Sequence, residues 1–167
     1  MSEGQHLADT LVAFFAYSDH GTLTPFADAV SGLTAEQAAK VPGPDFQGAW
    51  ALVNHVRFWH EISLEQLRAL PVSFEALGAR DGWPPPSDPP DEASWQAAVY
   101  STIALNREIA ELVEGLTNEE LEERVVARHV TRWQIAQSLI AHNCYHTCGI
   151  IAARRMLGLW PAESSNG

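Results

Sequence analysis

Lysine occurs once in the 167 residues, at position 40, and 10 basic side chains face 21 acidic ones, for a net charge of −11. A surface of that sign repels nucleic acid and anionic membranes, so neither is expected as a partner. No apolar run approaches the roughly 18 residues that a helical span needs, which excludes membrane insertion. The opening MSEGQHLADTLVAFFAY carries acidic residues where a secretory signal carries Lys or Arg. It reads as the amphipathic start of a helix, and a cytoplasmic protein is expected. There are two cysteines, Cys144 and Cys148. Four apart on a helix, they share a face but belong to no disulfide framework, which suits a reducing compartment. Sustained alternation of apolar and polar residues is missing too, so no half-buried strand is expected.

What is present is helical periodicity. A chain of this length can bury roughly two thirds of its unfolded surface around one core, and a single domain over residues 1–167 is expected. The first helix runs from about Gly4 to Tyr17, breaks around His20 to Pro25 and resumes to about Val30. Thr34 followed by Gln37 has capping-box spacing and opens a short helix. After VPGPDFQG, a helix without internal Gly or Pro covers about Ala49 to Leu70. Pro71 to Pro90, with its WPPPSDPP run, forms an extended connection. A third long helix spans about Asp91 to Leu116, Thr117 and Glu120 cap another short one, and the last runs from Thr131 to about Leu157, stopped by Gly158. The pattern predicts an all-α four-helix bundle with a long crossover connection between the second and third long helices. "GLTAEQ" and "GLTNEE" each follow a long helix, as two similar halves would have it; ordinary helix-stop and capping signals explain them equally well. Of nine arginines, those at 124, 128, 132, 154 and 155 sit where they answer the acidic run at 119–123 and the dipole of the last helix.

The histidines carry the chemistry. On a wheel of about 100° per residue, His146 lies about 40° from His142, in one arc with Ile135, Leu139, Ile150, Ala153 and Leu157. Both imidazoles therefore point into the bundle. His55 shares its face with Ala51, Leu52, Phe58, Trp59 and Ile62, again the apolar side. Three imidazoles aimed at one core are costly to bury without partners, whereas a divalent metal satisfies all three. His60 falls about 140° from His55 and is expected on the flank or surface, outside the site. His6, His20 and His129 are not expected to ligate. The run H-N-C-Y-H has Asn143 where zinc peptidases need Glu as general base, which argues against peptidase chemistry. Cys144 and Cys148 point away from the site, at about 200° and 240° from His142, and are expected to pack against a neighbouring helix or subunit.

The final helix, WQIAQSLIAHNCYHTCGIIAARRMLGLWP, with its paired histidines, arginine-rich turn and Gly-x-Trp-Pro ending, resembles that of the DinB-like superfamily of four-helix-bundle metalloproteins. The stretch WALVNHVRFWHE supplies His55 where that family has its remaining ligand. The resemblance extends over nearly the whole chain. It implies a metal triad of His55, His142 and His146, zinc or nickel as the ion, homodimers, and in some members thiol transfer or thiol-dependent isomerisation using a low-molecular-weight thiol. One departure is that many relatives read Gly-Gln after the second histidine, where this chain has Cys148 and Gly149.

Three imidazoles leave a divalent metal an open position for water or a thiol. By donor chemistry alone, zinc, nickel, copper and iron all suit imidazole. The expected activity is metal-dependent thiol transfer with an exogenous thiol as nucleophile; the alternatives are a bundle that binds metal or a small ligand without turnover, or a metal-assisted hydrolase. For a general base the candidates are Glu61 and Tyr145.

Overall fold

The computed structural model describes residues 1–16, 23–72, 83, 91–125 and 129–160. In chain order the elements are α1 (Glu3–Phe15), α2 (Phe26–Val30), α3 (Ala35–Ala39), α4 (Ala49–Leu67), α5 (Glu92–Glu114), α6 (Asn118–Glu122), β1 (Arg124–Val125), β2 (Val130–Thr131) and α7 (Arg132–Met156). The fold is an all-α bundle, as expected. The expected break near His20 falls largely outside the described residues, and so does the crossover connection, of which Pro71, Val72 and Trp83 are described.

Side-chain chemistry sets the helix starts. Ser2 with Gln5, Thr34 with Gln37, Thr117 with Glu120 and Thr131 with Gln134 each form a reciprocal capping box, and Asp91 accepts from the Ser94 amide. α4 stops at Leu67, not at Leu70, because the chain turns left-handed at Ala69, with φ 56°. There the Leu70 amide donates to Glu65 O and the Ala69 amide to Gln66 O, the paired closure of a Schellman turn. α7 ends with the same pair of bonds around Gly158, φ 67°, where glycine makes the stop visible in the sequence. The two-residue antiparallel ladder, Arg124 opposite Thr131 and Val125 opposite Val130, was not expected; a pair so short shows no alternation.

Each of α1 and α4 packs against both α5 and α7, so α1 and α4 occupy opposite corners of the bundle. Contacts give the directions. Trp50 meets Trp95, His60 meets Asn106 and Arg68 pairs with Glu108, so α4 and α5 run the same way. Leu52 meets Gly149 and Leu67 O accepts from Arg132, so α4 and α7 are antiparallel. α1 opposes α5: Asn106 donates to Leu11 O, and Gly4 lies so close to the far end of α5 that a Cβ there would meet Val113 O at 2.5 Å.

The apolar core comes in two clusters. One gathers Phe15, Phe26, Val30, Val53, Trp95 and Ile150; the other gathers Leu11, Leu64, Leu67, Ile109, Val113 and Leu139. Near the middle of α4, α5 and α7, where the two clusters meet, buried polar residues gather: His55 and His60, Thr102 and Asn106, Asn143, His146 and Thr147. Arg154, expected to answer the helix dipole, is instead buried and donates to Ala29 O and Leu159 O, tying the end of α7 to α2. No helix among the described residues is long and apolar enough to cross a membrane.

An L-residue in the left-handed region costs about 1–2 kcal/mol, and Ala69 is exposed. Ala69→Gly is therefore expected to stabilise the protein by about 1 kcal/mol, read as a higher midpoint in urea at unchanged slope.

Candidate metal centre

Antiparallel packing of α4 against α7 brings His55 opposite the pair His142 and His146, one turn apart on α7. Each offers a ring nitrogen within 4.8 Å of the others. Ring centroids lie 5.2 Å apart for His55 and His142, 4.6 Å for His55 and His146, and 4.3 Å for His142 and His146. His55 and His146 are buried and His142 is half-buried. The three residues read from the helical wheel are brought together.

The geometry fits one metal ion. His142 Nε2 stands 3.3 Å from His55 Nε2, and two nitrogens on a tetrahedral ion with bonds of about 2.0–2.1 Å are separated by about 3.3 Å. Between those two nitrogens the protein can place at most one proton. Nδ1 of His142 and Nδ1 of His146 are buried without a hydrogen-bond partner among the described residues. Protonation would not relieve this: burial first, and then the neighbouring His146 and His55, push His142 down to about 3, while burial and His55 push His146 down to about 4. Both are neutral at physiological pH, the form that ligates metal.

Aromatic rings wall the cluster. Trp83 stacks on His55 at 3.8 Å and 15°, and meets His146 edge-on at 5.9 Å. Trp59 stands edge-on to His55 and to His142. Trp83 was missed from the sequence, since a residue in a proline-rich connection has no periodicity to read.

His60 corrects an expectation. It does not sit on the flank or surface but is fully buried. Its Nδ1–H donates to Val56 O at 2.7 Å, leaving Nε2 to accept from Asn143 Nδ2 at 3.4 Å. Asn143 Nδ2 also donates to Asn106 Oδ1 at 3.2 Å, and Asn106 Nδ2 donates to Leu11 O at 3.0 Å. This chain of bonds crosses α4, α7, α5 and α1. His60 is thus buried as a structural group and stays outside the triad, as expected; burial holds its pKa below the usual histidine value.

The candidate bases fare differently. Glu61 is exposed and lies 4.0 Å from Arg57 on its own helix. Tyr145 is 74% exposed, with its ring edge-on to His146 at 5.0 Å. Cys144 is half-buried and Cys148 exposed; both are free thiols, and they line a groove of about 520 Å³ with Phe14, Leu23 and Ile151, away from the triad.

A family model described as the DinB superfamily matches residues 19–148, a span that includes all three histidines. The chain belongs to the DinB superfamily. No curated protein and no solved structure matches it. Within this DinB chain the three-histidine group is the feature that fits metal binding.

Titration gives a test. His60, His142 and His146 all have folded pKa values below the unfolded value of 6.5, so the unfolded chain binds more protons between those values. Their contribution is fully present above pH 6.5 and is lost as pH falls through the folded values. The melting temperature of metal-free protein is expected to drop steadily from pH 6.5 towards 4, and His142→Gln is expected to flatten that slope. An equal slope in the variant would mean that His142 is protonated as readily folded as unfolded.

Proposed function

We propose that His55, His142 and His146 hold one divalent metal, zinc or nickel, and that the protein is a metal-dependent thiol transferase using a low-molecular-weight thiol. The observation that carries this is a donor set of three imidazoles with no thiolate or carboxylate among them. Such a set leaves a coordination position to be filled from outside the chain. When bound, the ion favours the deprotonated form of an exogenous thiol, whose free pKa is about 8.5.

The chain's own residues then serve to bind and to shield. His55 fixes one donor direction from α4, and His142 with His146 fix two from α7. Trp83 covers one face of His55, and Trp59 packs edge-on beside it. A hydrolase is favoured less, because Asn143 stands where a base would follow the first histidine and Glu61 lies exposed beside Arg57. That same scarcity of acid and base groups favours, as second choice, a bundle that binds metal without turnover. A homodimer, implied by the resemblance, belongs to the proposal and is read by sedimentation.

Elemental analysis of untagged protein decides the first step. About one metal per chain is expected in the parent and none in His142→Ala. His60→Ala is expected to keep its metal while losing about 2–4 kcal/mol of stability, since it opens a cavity and strands Asn143. Metal loss in His60→Ala with retention in His55→Ala would overturn the ligand assignment.

A further inference from the structure

Beside the triad, between α4 and α7, lies a recess of about 120 Å³ with His142 in its wall. Two facing stripes build it. On α4 these are Trp59, Ser63 and Gln66, and on α7 Gln134, Ser138 and His142, each stripe stepping by one helical turn. Ile135, Leu139 and Val130 complete the lining. Besides His142, the polar members are hydroxyls and amides, and among the described residues no charged side chain lines it. The nearby Arg132 is already committed to Leu67 O, Glu120 O and Glu123.

Gln66 makes the recess more than a packing gap. Its side chain is 1% exposed, and its Nε2 has no hydrogen-bond partner among the described residues. A buried amide donor without an acceptor is expensive, and a helix that needed only a core residue here would carry Leu. Ser63, one turn before, is also buried. The position holds a hydrogen-bond donor that no acceptor among the described residues receives.

We propose that this recess binds the neutral, oxygen-bearing end of the thiol substrate, an amide or hydroxyl group, with Gln66 Nε2 donating to its oxygen and Ser63 beside it. This deepens the thiol-transferase proposal and rests on it: the sulfur lies on the triad side of His142 and the remainder of the molecule on the recess side. A carboxylate end is disfavoured because no cation among the described residues lines the pocket. The volume suits a fragment of a few heavy atoms, so the thiol's polar group lies within a short chain of its sulfur.

The test uses cobalt-loaded protein, in which sulfur bound at the metal gives a charge-transfer band, titrated with three thiols. N-acetylcysteamine carries an amide, 2-mercaptoethanol a hydroxyl and 1-propanethiol neither. Metal content is measured first and is expected to be the same in parent and variants. Gln66→Leu is expected to weaken the amide and hydroxyl thiols about five- to ten-fold, the loss of one buried hydrogen bond, and to leave 1-propanethiol within about two-fold. Ser63→Ala, a smaller change, is expected to act in the same direction and serves if Gln66→Leu fails to fold. An equal effect on all three thiols, or none on any, overturns the recess as the substrate's polar subsite while leaving thiol coordination intact. No band with any thiol on metal-loaded parent protein would instead overturn the thiol chemistry itself, and this assignment with it.

Discussion

Polar groups buried between two apolar clusters set the terms for this bundle. An imidazole or amide withdrawn from water costs free energy unless its donors and acceptors are matched, and the low dielectric that strengthens a matched network also penalises an unmatched one. The middle layer meets this demand in two ways. His60, Asn143 and Asn106 pass hydrogen bonds from α4 to α7 to α5 and on to a carbonyl of α1, using the protein's own groups. That chain leaves Asn143 Oδ1 without a partner among the described residues, whereas in the triad two nitrogens face each other at 3.3 Å and two others have no partner among them. One set locks the helices together; the other has the geometry that fits a cation.

The two sets are interleaved. His55 and His60 are five residues apart on α4, and His142 and Asn143 are neighbours on α7. Since the polar chain fixes the rotation of α4 and α7 about their axes, it also fixes where the three triad rings point. Asn143 therefore has a role that a glutamate in the same place would upset: a carboxylate could not donate to His60 Nε2 or to Asn106 Oδ1, and a buried charge would be stranded beside neutral groups. With asparagine here, the position offers no general base but supplies two hydrogen bonds to the frame that holds the three histidines.

The triad was legible from the sequence because its residues share arcs with Leu52, Ile62, Leu139 and Ile150, so that helical period alone aimed them inward. His60 was not, although it stands on the same helix. The wheel assumes one buried arc, whereas α4 packs against α5 on one side and α7 on the other, burying residues as far apart in angle as His55 and His60. The capping boxes at Thr34 and Thr117 were visible because their spacing is local. The stop at Ala69 was hidden because the left-handed turn there uses alanine. Trp83 could be found only through the tertiary contact that lays it on His55.

Ser63 and Gln66 illustrate a signal that was present and went unread. Polar residues at the buried end of α4 look like the fading of an amphipathic face, yet they face Gln134 and Ser138 on α7, which continue the line of His142 by one and two turns. An amphipathic helix that merely reached the surface would show exposure at these positions, and Gln66 has almost none. Buried Ser63 and Gln66 on α4 face exposed Gln134 and Ser138 on α7 across a recess that His142 also lines, and that pairing distinguishes this stretch from a frayed helix end. It needs two helices to be recognised, since neither stripe means anything until the other faces it.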